Sequence, residues 1–449
     1  MRYLDSSVGV RQLARTVSNV LGLLICVSAV GIATPTMAKD RMDGMLRAEI
    51  ARIPAIDNHT HDDPATAERG SLWRPNSPLG SAPYPDVAPL RRDDPQWVRA
   101  WTALYGYKHS DFTSEHLTEL LATKRRLMAE AGDSWPTKVL DVAGVQIAFV
   151  NAPHLGAGQK SGRFRWVPFA DPLLAPLAGS RSLISYPGGP VTLDDLMHED
   201  GVATLPGTLD GYLSKVVDAT LARWASAGVP AIKFLSAYRR RLDFDLVPRE
   251  QAAHAYQQGA SGKNLTTTDE KALEDYLFVE VSGRAADHGL VVHIHTGNGN
   301  GPYFNNAGAN PELLEAALGC ERLRKARVVL LHGGWPYHLV TQAMLDKPNT
   351  YADFSAQAFY LTTHALAEVL RGWLAWHPEK VLFGTDAYSD QNTPLSDYEE
   401  KQWLLTEKSR DAVAIALTAM IDDREITRTR ALEIARMVFR VNAVRLYGL

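Results

Sequence analysis

The sequence has 449 residues, a formal net charge of −4 at pH 7 and 45% hydrophobic residues, which is enough for a large core. It contains no basic tract, so the composition excludes nucleic acid and anionic membrane surfaces as main partners. Only Cys320 lies beyond the N-terminal apolar segment, which excludes a disulfide framework.

The first element in the chain is a targeting segment. Residues 1–38 have the layout of a secretory signal peptide: three arginines, an apolar run at 20–33, and the small residues of Thr36-Met37-Ala38. The apolar run has 14 residues, fewer than the roughly 20 that a membrane-spanning helix needs. We predict cleavage after Ala38 rather than retention as an anchor, export to the periplasm or the medium, and no stable membrane insertion afterwards. Residues 39–449 are then predicted to form one catalytic domain.

Apolar runs alternate with helical stretches along the rest of the chain. Most of these runs are continuously apolar, as expected of parallel strands that are covered on their outer face. The eight predicted strands are Ile53–His59, Val145–Asn151, Arg165–Ala170, Pro230–Leu235, Leu290–His295, Arg327–His332, Asn349–Phe354 and Lys380–Thr385. The clearest predicted helices are Ser114–Ala131, Leu209–Ala227, Asp269–His288, Pro311–Leu323 and His364–His377. Eight such units predict an α/β fold, a distorted (β/α)8 TIM barrel.

Three long insertions interrupt this alternation, at Asp62–Thr113, Asp171–Gly207 and Ser236–Thr268. Each follows the C-terminal end of a predicted strand, which is the face where barrels of this kind place their active sites. Long loops there shape a substrate pocket or decorate the surface, and we favour the pocket.

Histidines and one aspartate fall at the C-terminal ends of four predicted strands. His59 and His61 end the first strand, His295 the fifth, His332 the sixth and Asp386 the eighth. Side chains two residues apart on a strand share a face, so His59 and His61 project together. A lone histidine in an apolar run is more often a core residue than a ligand, so the prediction rests on the joint order of these strand ends.

The ligand set predicts a divalent cation. His59, His61, His295 and Asp386 provide three imidazoles and a carboxylate, which suit Zn²⁺ and also Mn²⁺ or Fe²⁺. We predict one or two bound ions.

The order of these motifs resembles the amidohydrolase superfamily. It is most similar to the amidohydrolase-related branch, which includes uronate isomerases, metal-dependent decarboxylases, and lactone or carbon–carbon hydrolases, and to the amidohydrolase-like domain fused to glutamine synthetase. The matching segments are Ala55-Ile56-Asp57-Asn58-His59-Thr60-His61, Ala231–Arg239, His293-Ile294-His295-Thr296-Gly297, Leu331-His332-Gly333-Gly334, Phe383-Gly384-Thr385-Asp386-Ala387 and Asn442–Tyr447.

The resemblance implies a role for each residue. His59, His61 and His295 would bind the metal as neutral imidazoles. Asp386 would contact the ion and act as general base towards a water whose pKa the metal lowers. His332 would polarise a substrate carbonyl or hold a second metal, or else it forms only a structural hydrogen bond at the barrel rim.

Lys233 on the fourth strand is open to two interpretations. In the binuclear branch of the superfamily a lysine at this place is carboxylated and bridges two metals. An uncarboxylated ammonium would instead contact a substrate carboxylate, since a buried cation without a partner is costly. Tyr238 and Arg239 follow closely and are predicted to bind a substrate anion, although Arg239 also begins a run of three arginines that is equally consistent with a solvated surface.

We therefore predict a metal-dependent hydrolase that acts on an amide, ester or lactone of a small carboxylate-bearing substrate. The main alternative is a metal-dependent decarboxylase of the same superfamily, which a mononuclear site facing Arg239 would favour. A sugar-acid isomerase and a non-catalytic binding barrel are further alternatives, and Asp386 argues against the last. Association into a homo-oligomer is compatible with the sequence.

Overall fold

A computed structural model describes residues 41–61, 91, 93–153, 162–177, 191–299, 304–389 and 394–449. The predicted signal peptide, residues 1–38, and residues 62–90 of the first predicted insertion lie outside the described residues. None of the described helices combines the length and the hydropathy that crossing a membrane requires.

Eight parallel strands are found among the described residues. They are β1 (Ala55–Thr60), β2 (Val145–Asn151), β3 (Phe164–Val167), β4 (Ala231–Phe234), β5 (Val291–His295), β6 (Val328–Leu331), β7 (Thr350–Asp353) and β8 (Val381–Leu382). They pair in chain order as two sheets, β1 to β3 and β4 to β8. Each strand overlaps one predicted run, so the predicted strand order is confirmed.

Main-chain hydrogen bonds join the two sheets at both junctions. After β3, Lys233 N donates to Pro168 O (2.9 Å) and Ala170 N donates to Lys233 O (2.8 Å). After β8, Asn58 N donates to Phe383 O (2.9 Å). The sheets therefore close on each other, and the predicted (β/α)8 TIM barrel is the fold of this chain.

Most of the described helices lie outside the barrel, between or after the strands, whereas the last one packs against the barrel interior. They are α1 (Gly44–Ala51), α2 (Gln96–Tyr105), α3 (Ser114–Ala131), α4 (Trp135–Ala143), α5 (Leu193–Glu199), α6 (Leu209–Tyr212), α7 (Asp218–Ser226), α8 (Arg249–Ala260), α9 (Thr267–Asp287), α10 (Glu315–Gly319), α11 (His338–Met344), α12 (Gln357–Tyr360), α13 (Thr363–Trp376), α14 (Tyr398–Asp422), α15 (Arg428–Arg436) and α16 (Asn442–Tyr447).

One predicted helix is wrong as a continuous element. The stretch Pro311–Leu323 consists of two 3₁₀ turns around the short α10. Cys320 is extended at the end of α10 (φ −70°, ψ 153°), so the helical hydrogen bonds cannot continue through it. The sequence pattern did not mark this break.

The barrel interior is filled by apolar side chains. Seven of the strands contribute buried residues to one cluster, and α16 adds Ala443 and Leu446 to it. A larger cluster packs the outer face of the strands against the surrounding helices. The barrel is thus a packed core and not a pore, with α16 filling part of its interior.

A satellite core lies beside the barrel where α2, α3 and α4 pack on α14. A buried ion cluster connects these helices: Lys124 Nζ of α3 lies 2.9 Å from Glu399 Oε2 and 3.0 Å from Glu400 Oε1 of α14. Tyr105 and Trp135 donate to the same two carboxylates. The segment between β1 and β2 is therefore anchored to the helix that follows β8.

We predict that Lys124→Met lowers the free energy of unfolding by about 3–5 kcal/mol, because it leaves two buried carboxylates without their cation. Urea denaturation measures this change. Arg126→Met is the matched control on the same helix, since Arg126 forms an exposed pair with Glu130 that is worth about 0–1 kcal/mol. Equal effects of the two substitutions would contradict the assignment of the buried cluster as the anchor.

Candidate metal centre

The candidate centre is assembled where β1 meets the segment after β8. His59 and His61 point to the same side of β1, as their spacing predicts. Asp386 N donates to His59 O (2.7 Å) and His61 N donates to Ala387 O (2.8 Å). These main-chain bonds hold Asp386 beside the two imidazoles.

Three of the predicted ligands lie at coordination spacing. Asp386 Oδ1 is 3.0 Å from His59 Nε2 and 3.1 Å from His61 Nε2. The two imidazole ring centres are 5.1 Å apart. At Zn–N distances of about 2.1 Å and tetrahedral angles, the ring centres of two ligands lie about 5 Å apart. The arrangement therefore fits one cation between His59, His61 and Asp386.

The other two predicted histidines complete the group. The rings of His295 and His332 are 4.5 Å apart, and the rings of His332 and His59 are 5.0 Å apart. His332 Nδ1 lies 3.9 Å from Asp386 Oδ2. A buried ring nitrogen without a hydrogen-bond partner is costly. Among the described residues His295 Nε2 has none, and His59 Nε2 has only Asp386 Oδ1 near it, outside hydrogen-bond geometry. A bound cation would satisfy both.

Burial sets the protonation states of these groups. It lowers the pKa of His59, His295 and His332 well below the usual value, so that the imidazoles are neutral and can bind a cation. Burial alone would raise the pKa of Asp386, but His332, His61 and Lys233 outweigh it and lower that pKa. The centre thus offers neutral nitrogens and an ionised carboxylate.

Lys233 lies in the same cleft and is fully buried. Its Nζ has no hydrogen-bond partner among the described residues. Burial lowers the pKa of Lys233 to about 7, although Asp386, Asp353 and Asp171 act in the opposite direction. Burial therefore favours the neutral amine at this position relative to a solvated lysine.

The cleft itself is small and polar. It has room for about one water molecule and is lined by His61, Lys233, Tyr238, His295, Asn298, His332, Tyr360 and Asp386, among others. Three of its lining residues have left-handed backbone conformations without being glycine, namely His332 (φ 62°), Ala356 (φ 58°) and Asp386 (φ 60°). Such conformations cost about 1–3 kcal/mol each and cluster at functional sites.

Comparison with known proteins fits this arrangement. The Amidohydrolase family profile matches residues 191–449, which is more than half of the chain. The chain is a member of the amidohydrolase family. No curated protein gives a significant match.

Solved structures similar to this amidohydrolase share its fold. A protein assigned as a metal-dependent hydrolase from Lactobacillus casei ATCC 334 is 16% identical, with a TM-score of 0.57 over 91% of this chain and 98% of that one. Uronate isomerase from Thermotoga maritima is 16% identical, with a TM-score of 0.55 over 90% and 96% of the two chains. Glucuronate isomerase from Caulobacter crescentus is 14% identical, with a TM-score of 0.61 over 90% and 93%.

Tyr238 and Arg239, the two predicted substrate contacts, lie in different places. Tyr238 lines the cleft, with its ring centre 4.7 Å from that of His295. Arg239 pairs with Glu274 (2.6 Å) and lines a separate cleft beside Leu177. Because a carboxylate already holds its guanidinium there, the structure does not bring Arg239 to the centre.

Sequence analysis missed Asn151, which contacts both histidines of the first strand. Its main-chain O lies 3.1 Å from His61 Nδ1 and accepts a proton from it, which leaves Nε2 of His61 directed towards Asp386. Its side-chain amide lies 2.7 Å from His59 Nδ1. The same amide nitrogen also donates to Thr60 O (3.2 Å), so Asn151 links the His59 ring to the main chain of β1. Its one sequence signal was a polar residue at the end of the second predicted strand.

Asp57 was also missed, although it stands two residues before His59. Its carboxylate accepts hydrogen bonds from Thr385 N (3.0 Å), Thr385 Oγ1 (2.6 Å) and Gln402 Nε2 (2.8 Å). Burial raises the pKa of Asp57 to about 7, against the effect of these donors. Asp57 thus ties β1 to the Gly384-Thr385-Asp386 segment through side-chain bonds.

A second group of candidate ligands does not fit one tetrahedral ion. His109, Asp111 and His116 lie close together after α2. The rings of His109 and His116 are stacked 3.5 Å apart with an interplanar angle of 12°, which is closer than two imidazoles on one ion allow. Asp111 Oδ1 instead accepts from Thr113 N and His116 Nδ1 at the start of α3.

The glycine of the His-Thr-Gly motif is required by a close approach. Gly297 has φ 73°, and a Cβ there would lie 2.3 Å from Trp335 O of the loop after β6. Asn298 N donates to that same oxygen (2.7 Å). The loops that follow His295 and His332 are therefore held together at a point that admits no side chain.

We predict that Gly297→Ala lowers the free energy of unfolding by about 1–3 kcal/mol more than Gly289→Ala does. Gly289 has φ 79° but nothing within 4 Å of a Cβ, so its substitution measures only the backbone cost of about 1–2 kcal/mol. Urea denaturation of both variants gives the difference. If the two losses are equal, the close approach of the two loops is not a constraint.

Proposed function

We propose that this protein is a metal-dependent hydrolase that acts on an amide, ester or lactone of a small carboxylate-bearing substrate. The observation that supports this most is the position of Asp386 Oδ1, 3.0–3.1 Å from the Nε2 atoms of both His59 and His61. A bound divalent cation, for which we favour Zn²⁺, would supply Lewis-acid polarisation and acidify a water molecule.

Each side chain of the cleft would then have a distinct role in the reaction. His59, His61 and His295 would hold the cation as neutral imidazoles. Asp386 is ionised and lines the cleft. It would accept a proton from the attacking water and return it to the leaving group. Tyr238 lines the cleft beside His295 and would contact the substrate.

Lys233 supports the carboxylate preference in its charged state and a two-metal site in its neutral state. As an ammonium it would pair with a substrate carboxylate in a dry cleft. As a neutral amine, which the lowered pKa favours, it would be able to add carbon dioxide and release a proton, and the resulting carbamate would be able to bridge two ions. Metal content per chain separates these states, because a bridged pair requires about two ions and the ammonium requires about one.

The position of Arg239 does not support the decarboxylase alternative. That alternative was tied to a site with Arg239 facing the metal, and Arg239 pairs with Glu274 beside a different cleft. The uronate and glucuronate isomerases share only the fold with this chain at 14–16% identity. Isomerisation of sugar acids is therefore tested with the substrate panel described below.

The first test concerns the ligands. We predict that His59→Gln and His61→Gln each lower metal affinity by more than the roughly 10–100-fold typical of losing a group that only orients a ligand. Metal analysis after equilibrium dialysis of the full chain measures this. His116→Gln is the control, because it removes the same type of side chain at a place outside the centre, where His116 stacks on His109. Retention of full metal content by both cleft variants would rule out the assigned centre.

The second test concerns the base. Asp386→Asn is expected to lower turnover by about 10²–10⁴-fold with little change in stability, since asparagine tolerates the φ of 60° at this position. A panel of amides, lactones, aromatic acids and uronic acids identifies the reaction by its product: a new carboxylate, carbon dioxide or an isomeric sugar acid.

The exposed Asp133→Asn variant controls for the loss of a charge. Near wild-type turnover by Asp386→Asn would remove the base assignment. Carbon dioxide or an isomeric sugar acid as the only product would replace the hydrolase by the corresponding alternative.

A further inference from the structure

Asp353, at the end of β7, is a buried acceptor behind the candidate centre. Its Oδ1 accepts hydrogen bonds from His332 N (2.7 Å), Ser355 N (3.2 Å) and Ser355 Oγ (2.7 Å). Its Oδ2 accepts from Asn58 Nδ2 (2.8 Å). All four residues are buried. Bulk water therefore does not compete for these hydrogen bonds.

The direction of these bonds fixes the proton on His332. An ionised carboxylate only accepts, so the single proton of the Ser355 hydroxyl points to Asp353. Ser355 Oγ also lies 2.9 Å from His332 Nδ1. Because its own proton is already used, Ser355 must accept there, and His332 must donate from Nδ1. The lone pair of His332 is then on Nε2.

We propose that Ser355 is a positioning residue of the centre, which holds His332 in the tautomer with a proton on Nδ1 and a lone pair on Nε2. The consequence for catalysis rests on the proposed function, whereas the tautomer itself does not. Of the two roles considered for His332, donation from Nε2 to a substrate carbonyl is then disfavoured. Binding of a cation through Nε2 is favoured.

The packing leaves Ser355 little freedom. A Cβ on Gly384 would lie 3.0 Å from Ser355 Cβ and 3.1 Å from Asp353 Oδ2, so the segment after β8 closes one side of the pair. The backbone of His332 is held separately, because Gln357 Nε2 donates to His332 O (3.0 Å). These contacts keep the ring of His332 against the Ser355 hydroxyl.

The same polar chain extends to β1 and α16. Tyr447 Oη donates to Asn58 Oδ1, which directs Asn58 Nδ2 to Asp353. His293 Nε2 in turn lies 2.8 Å from Tyr447 Oη and donates to it. Each hydrogen bond in the chain from His293 through Tyr447 and Asn58 is therefore donated towards Asp353. Asp353 is the common acceptor for this chain and for His332 N.

Ser355→Ala tests the proposal, with Ser355→Thr as the variant that keeps the hydroxyl. Ser282→Ala is the matched control, because Ser282 is equally buried and its hydroxyl has no hydrogen-bond partner among the described residues. Nitrogen-15 NMR of the histidine rings reports the tautomers in the full chain, both as purified and after metal removal. His332→Gln identifies the His332 signals among the 14 histidines.

We expect His332 to be protonated on Nδ1 in the wild type, in Ser355→Thr and in Ser282→Ala. In Ser355→Ala we expect a mixture of tautomers and a Zn²⁺ affinity, measured by calorimetry, that is about 10–100-fold weaker than in Ser282→Ala. A merely structural role of Ser355 would lower stability without moving either readout.

A proton on Nε2 in the wild type, or an unchanged tautomer and Zn²⁺ affinity in Ser355→Ala, would overturn the proposal. The absence of turnover on every substrate would count against the proposed hydrolase and would leave the tautomer measurement intact.

Discussion

The pairing of β1 with the segment after β8 is the constraint on which the candidate centre depends. It brings Asp386 against a His-x-His pair that lies more than 300 residues earlier in the chain. Asp57 secures the junction, because its buried carboxylate accepts bonds from Thr385 and Gln402. A carboxylate out of water is costly unless its lone pairs are occupied, so these donors and Asp57 hold each other in place. The distances from Asp386 to the imidazoles follow from that local closure.

Burial then gives the centre its chemistry. The same lack of water that keeps the histidines neutral also makes every remaining charge count, since electrostatic interactions strengthen as the local dielectric constant falls. Lys233 shows the balance most clearly, because three aspartates favour its charged form and burial still lowers its pKa to about 7. Burial in this cleft therefore disfavours a protonated amine. The cleft favours instead a cation that neutral nitrogens can bind.

The sequence predicted the repeating elements well because each of them has a local signal. Continuous apolar runs indicated the eight strands, and the strand-end positions of His59, His61, His295, His332 and Asp386 predicted that these residues would meet, as they do. Lys233 and Tyr238 also fall in the cleft, while the roles of all these residues stay predictions.

What the sequence could not supply are interactions that depend on tertiary neighbours. Arg239 follows the fourth strand as a substrate-binding arginine would, but α9 places Glu274 within 2.6 Å of it. Asn151, Asp353 and Ser355 look like ordinary polar residues near strand ends, and only the closed barrel shows that they contact the histidines. Left-handed backbone at His332 and Asp386 has only a weak signature in residue type, because histidine and aspartate are enriched there but mostly adopt other conformations.

The wide separation of the two sides of the centre bears on how the protein is made. A ribosome adds about 5–20 residues per second, so β1 leaves the exit tunnel roughly tens of seconds before the segment that carries Asp386. During that interval one edge of β1 has no partner strand and its histidines have no carboxylate between them. The complete ligand set therefore exists only once synthesis has passed Asp386.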